Sequence, residues 1–187
     1  MKLKSISVIK HPPMIVWTAI RDRLTEIVRL LDDIEEVTVQ SREELPDGTV
    51  RLVNVWRAKP NLPAIVANHI KPEMLAWTDR AEYHTATLIC SWKLEPHFFP
   101  EKISCVGVTR YEPAMGGRGT RVTFDADFNL AMGALPAVPP LLQEAVSKTL
   151  EPFMTALVPR NFRKLMDALE KSLSRPAAGH AVARPPG

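Results

Sequence analysis

The chain is short of the residues that most often announce a chemistry. Its 187 residues hold two cysteines, Cys90 and Cys105, too few for a disulfide scaffold. Each lies in an apolar, strand-like run, which reads as a buried thiol in a reducing compartment; a disulfide between neighbouring strands is the alternative. Five histidines (His11, His69, His84, His97 and His180) show no metal-ligand spacing, and neither CxxC nor HExxH occurs. Closed zinc sites draw four Cys or His ligands, so no metal and no cofactor is expected. The glycine-rich stretch Gly116-Gly117-Arg118-Gly119 runs into Thr120-Arg121. It lacks the lysine and the helix of a phosphate loop and reads as a turn. GxSxG is absent too, and no serine has a claim to be a nucleophile. No catalytic residue is assigned.

Charge of one sign is also lacking. Lys plus Arg number 24 against 21 Asp plus Glu, a net charge of +3. The basic residues alternate with acids, as in Arg21-Asp22-Arg23, and fall short of the one-sided patch that nucleic acid requires. Arg160, Arg163 and Lys164 cluster beside Phe162. They form either a solvated helix face or a weak, reversible contact with an anionic membrane surface, at about 1 kcal/mol per basic group. Long hydrophobic runs are missing: no stretch approaches the ~18 apolar residues of a membrane span. Met1 to Lys10 alternates and carries no apolar core of a secretory signal. These absences predict a soluble, cytoplasmic protein without stable membrane insertion.

What is present is a core and an order of elements. With 45% hydrophobic residues, a chain of this length forms one domain and buries on the order of two-thirds of its unfolded surface. Residues 2–10 alternate as a strand. Pro12 and Pro13 suit a first helical turn, and Val16, Trp17, Ile20, Leu24, Ile27, Val28 and Leu31 follow at helical spacing, as one bent helix or two short ones. Ile34 to Leu45 reads as a strand. Pro46-Asp47-Gly48 makes a turn because proline presets φ and Asp-Gly tolerates left-handed geometry. Val50, Leu52, Asn54, Trp56 and Ala58 form one face of the returning strand. Residues 60–72, with three prolines, predict a short helical turn. Leu75, Trp77, Asp79, Ala81 and Tyr83 share a face of the next strand, and Ala86 to Leu94, Ile103 to Tyr111 and Thr120 to Leu130 complete the set. In the last, Val122, Phe124, Ala126, Phe128 and Leu130 alternate with polar residues, so one face is buried and one is wet. About seven strands in this pattern predict a curved antiparallel sheet. A closing apolar-faced helical segment, Leu141 to Leu173, contains Pro152 and Pro159. Each proline removes a hydrogen bond and clashes with the preceding turn, which predicts a kinked or split helix. Arg175 to Gly187 predicts a disordered Pro/Ala/Gly tail, leaving 1–174 as the domain.

The strand Ser7-Val8-Ile9 followed by His11-Pro12-Pro13-Met14-Ile15-Val16-Trp17, the glycine-rich hairpin before Thr120-Arg121-Val122-Thr123-Phe124, and the closing Leu165-Met166-Asp167-Ala168-Leu169-Glu170 together resemble the START-like, or Bet v 1-like, superfamily (SRPBCC). The resemblance covers roughly residues 1–173. It implies an α+β helix-grip fold, in which a seven-stranded sheet wraps a long C-terminal helix around an internal cavity. It also implies a ligand among lipids, sterols, polyketides or plant hormones. No catalytic motif is shared across the superfamily, so no catalytic residue is carried over.

On the residues themselves, Trp56, Trp77 and Trp92 fall on the inward phase of three strands. Either they pack as core or together they line a pocket, since pockets are mostly apolar with few polar groups. Asn54, Asp79 and Tyr83 share that phase and would supply the polar contacts, unless a bulge turns them to solvent. With Phe124, Phe128 and, at the closing helix, Phe153 and Leu157, they make the candidate ligand-binding set. Phe153, Met154 and Leu157 near the prolines form either a lid or a loosely packed helix end. The leading expectation is binding or transport of a small hydrophobic or lipid-like molecule without catalysis. The rivals are a polyketide cyclase-like enzyme using Asp79 and Tyr83 as acid–base groups, and an interaction module with a filled core.

Overall fold

The computed structural model describes residues 1–59, 75–97, 100–130 and 140–174, with side chains except at 130, 140–147, 149–155 and 157. The helical turn predicted within 60–72, the tail from 175, and the side chains of Phe153, Met154 and Leu157 lie outside the described residues.

Seven strands form one antiparallel sheet: β1 (Lys2–Ile9), β2 (Ile34–Glu44), β3 (Thr49–Ala58), β4 (Ala76–His84), β5 (Ile89–Pro96), β6 (Ile103–Ala114) and β7 (Gly119–Leu130). Their spatial order is β1-β7-β6-β5-β4-β3-β2. The two edges are therefore sequence neighbours, joined by α1 (Pro13–Asp22) and α2 (Leu24–Val28). Pro13 occupies the first turn of α1, where a missing N–H costs nothing, and the Pro12 carbonyl accepts from the amides of Ile15 and Val16 at 3.0 and 3.2 Å. At Arg23 the backbone leaves helical geometry (φ −121, ψ 22), so the two-helix version of the early segment is the one that forms.

The hairpins follow from local chemistry. Gly48 takes φ +80, and Asp47 Oδ1 accepts the Thr49 amide at 2.9 Å, which closes the β2–β3 turn. One boundary differs from expectation. The strand predicted from Ala86 begins at Ile89, because Leu88 adopts φ +53 and its carbonyl accepts the Tyr111 amide at 3.1 Å. Period-two alternation cannot distinguish a strand from the turn that precedes it.

The closing helix, α3 (Pro140–Ser174), is 35 residues long and runs unbroken through both internal prolines; it is not split. A proline inside a helix costs about 3 kcal/mol, a local loss that packing along a long helix can absorb. Its last turns bury Phe162, Met166, Ala168 and Leu169 in one core with Leu3, Ile9, Trp17, Val122 and Phe124. Lys164 Nζ is bound to Asp33 Oδ2 at 2.5 Å, so one charge of the Arg160–Arg163–Lys164 cluster is already neutralised. Among the described residues no helix is long and apolar enough to cross a membrane.

Candidate functional site

Alternation along β3, β4, β5, β6 and β7 places one continuous set of side chains on the face turned towards α3. The register from β3 to β7 runs without shifts; the two irregularities lie in β2, between Ile34 and Glu36 and between Val39 and Ser41. The bulge that would have turned Asn54 and Tyr83 to solvent is not there: Asn54 is fully buried and Tyr83 buried. Both cysteines are buried and free.

In the middle of this face Trp92 lies across β6. Its strand partner is Gly107, where a Cβ would come within 2.4 Å of both Trp92 Cζ2 and the Asp125 carbonyl oxygen. Glycine at 107 is what lets the indole approach the sheet. Trp92 Nε1 donates to Thr109 Oγ1 at 3.0 Å. The indole stacks on Phe124 (centroids 5.0 Å, 18°), and Phe124 meets Phe162 of α3 at 4.9 Å. Phe128 is buried further along the same face of β7.

Towards one end the face is filled. Trp17 of α1 is fully buried and packs edge-on against Tyr83 (5.3 Å, 70°) and Tyr111 (5.2 Å, 81°). Burial above all pushes Tyr83, Tyr111 and the Cys90 thiol well above their ordinary values. All three therefore stay protonated.

Towards the other end the character changes. Trp56 and Trp77 are strand partners and stack at 5.6 Å and 14°. The next inward pair is Asn54 opposite Asp79, with Asn54 Nδ2 donating to Asp79 Oδ2 at 3.4 Å. Asn54 Oδ1 and Trp56 Nε1, both buried, have no hydrogen-bond partner. Asp79 is pushed up to about 6, chiefly by desolvation, and the Asn54 amide and the Trp56 indole oppose that rise. The indole N–H is thus close to the carboxyl without reaching ordinary hydrogen-bond geometry. Among the described residues no cation pairs with Asp79. The residue as a whole nevertheless keeps accessible surface, as do Trp77, Trp92 and Leu94. The carboxyl is thus desolvated while the residue keeps some accessible surface.

The structure thus brings Asn54, Trp56, Trp77 and Asp79 together, sets Trp92, Phe124 and Phe128 alongside, and places Tyr83 with Trp17 at the filled end. Asp79 is still near enough to Tyr83 for its charge to help raise the phenol. Phe153 and Leu157 are not placed relative to these groups. Gly107, Thr109 and Tyr111 were missed as contributors, although each sits on the inward alternation of Ile103 to Tyr111. Among the described residues no cluster of His, Cys, Asp and Glu could hold a metal. An open groove beside the end of α3, lined by Lys10, His11, Asp167, Glu170, Lys171 and Ser174, contains none of the expected residues.

No protein-family model and no curated protein matches the sequence. Solved structures do. The protein TTHA0849 of Thermus thermophilus superposes with a TM-score of 0.66 at 18% identity, covering 94% of this chain and 100% of that one. The ZhuI aromatase/cyclase of Streptomyces sp. R1128 gives 0.65 at 15%, covering 92% of each chain. Norcoclaurine synthase of Thalictrum flavum gives 0.60 at 12%, covering 92% of this chain and 86% of that one. At such identities the likeness shows the fold and nothing finer. Seven antiparallel strands, two short helices joining the sheet edges and a long closing helix give this protein the helix-grip fold that these solved structures share.

Proposed function

We propose that the protein binds or carries a small hydrophobic molecule in a recess between the inward face of β3–β5 and α3. The observation that carries this reading is Asp79, desolvated yet accessible, beside two buried polar atoms without partners and a stacked tryptophan pair. Buried polar groups are normally satisfied, and pockets are mostly apolar with a few convergent polar groups. A bound molecule would supply the missing hydrogen bonds. Native mass spectrometry of protein purified without added ligand, followed by denaturing extraction, tests it directly. A discrete co-purifying mass released on denaturation supports the reading. A clean mass, followed by no thermal shift with lipids, sterols or polycyclic aromatics, overturns it.

One observation favours a second reading, acid–base catalysis on a polyketide-type substrate. A carboxyl at about 6 exchanges protons near neutral pH, where general acid–base groups work best, and Tyr83 stays a phenol able to donate. Turnover lost in Asp79→Asn with binding retained supports it; an unchanged rate removes Asp79 from any mechanism.

A further inference from the structure

The unmet valences in this recess are unequal in kind. Asn54 donates one amide hydrogen to Asp79 and leaves Oδ1, a bare acceptor in a fully buried side chain. Asp79 adds further acceptor positions and, among the described residues, has no cation beside it. Against these stand, among the described residues, the second Asn54 amide hydrogen and Trp56 Nε1, which already leans on the same carboxyl. Among the described residues, acceptor positions here outnumber donors. An anionic ligand would meet Asp79 at short range in a poorly solvated setting, where like charges are strongly disfavoured.

Resting on the binding reading above, we propose that this site selects hydrophobic molecules, aromatic ones above all, whose polar end is a hydrogen-bond-donating hydroxyl or amine, and rejects carboxylates. The Trp56–Trp77 stack would meet the apolar body, and Asn54 Oδ1 with Asp79 would receive the donor. Free fatty acids and aryl acids are excluded from the ligand class, while phenols, alcohols and amines are admitted. Selection against a class by a repulsive group is an ordinary way to build specificity.

Calorimetric titration of the full chain at neutral pH with naphthalene, naphthol and naphthoate, which share one ring system and differ in the polar end, tests this. The expected result is binding of naphthalene, tighter binding of naphthol, and naphthoate weaker than naphthol by about tenfold or more. In Asp79→Asn the ratio of naphthol to naphthoate affinity should shrink to a few-fold. Naphthoate binding as tightly as naphthol in the unaltered protein overturns the inference and leaves the binding reading intact. Failure of all three to bind overturns the inference, and the binding reading then stands or falls by the co-purified mass and the thermal-shift panel. The wild-type comparison decides the matter even if the variant does not fold.

Discussion

Strand β4 carries two different environments on one face. Tyr83 and Ala81 are buried, the former against the edge of Trp17. Asp79 and Trp77, on the same phase of the same strand, keep accessible surface. The filled end is closed by α1, which inserts a fully buried indole between two tyrosines. The other end has a stacked tryptophan pair and a carboxyl; buried polar atoms without partners occur at both, Trp17 Nε1 at the filled end and Asn54 Oδ1 and Trp56 Nε1 here. Face and occupancy are therefore decided by different things. Alternation sets which way a side chain points, and a single large residue from a distant segment sets whether the space it points into is full.

The sharpest way to break this contrast is to empty the filled end. Trp17→Ala should cost about 3–5 kcal/mol, the usual loss for a buried tryptophan, measured by urea or thermal unfolding. Trp77→Ala removes a half-buried ring and should cost distinctly less, about 1–2 kcal/mol. Equal losses at the two positions would mean that both ends are filled alike. Next in size is Gly107→Ala. The new methyl would meet the Trp92 ring and the Asp125 carbonyl at 2.4 Å; the backbone oxygen cannot swing away. A loss of about 1–3 kcal/mol is expected for such overpacking, with a changed near-ultraviolet circular dichroism as Trp92 leaves its stack on Phe124. An unchanged aromatic spectrum would show that Trp92 is held by something other than this close approach.

Asp79 gives the contrast a pH signature. Its carboxyl titrates near 3.8 in the unfolded chain and at about 6 in the folded one. Between those values the folded state binds more protons, so this group makes stability fall as pH rises through that window and plateau above it. The full shift would correspond to about 3 kcal/mol; the residual solvent contact of Asp79 lowers the expectation to about 1–2 kcal/mol. Asp79→Asn should match the wild type at the acid end of the window and exceed its stability above about pH 6. A melting-temperature difference independent of pH would mean that Asp79 sits in water and that the recess is open.

Much of this was readable from residues. The alternation of Val122, Phe124, Ala126 and Phe128 against Arg121, Thr123 and Asp125 fixes the inner face of β7, and the same rule places Asn54, Trp56, Trp77 and Asp79 inward. The seven strands and the closing helix follow from such patterns. Three things were not readable. Leu88 in left-handed geometry ends a hairpin that period-two counting carries into the strand. Pro152 and Pro159 favour a broken helix locally, while packing of Phe162, Met166 and Leu169 belongs to the tertiary structure. The closure of one end of the inner face depends on Trp17 meeting Tyr83 and Tyr111, contacts between residues more than sixty positions apart in sequence.

The smallest expected effect lies between the two ends. Thr109 Oγ1 takes the Trp92 indole hydrogen at 3.0 Å and is itself buried on β6, while Trp92 is only partly so. Thr109→Val keeps the shape and the β-branched preference for a strand but deletes the acceptor. Because the indole retains some solvent access, its N–H can turn to water, and the loss should be about 0.5–1.5 kcal/mol rather than the full penalty of an orphaned donor. The informative readout is tryptophan fluorescence: an N–H released to solvent should shift emission to the red. No spectral change together with a larger loss of stability would place Trp92 in a closed core, and the filled end would then extend across the middle of the sheet to Asp79.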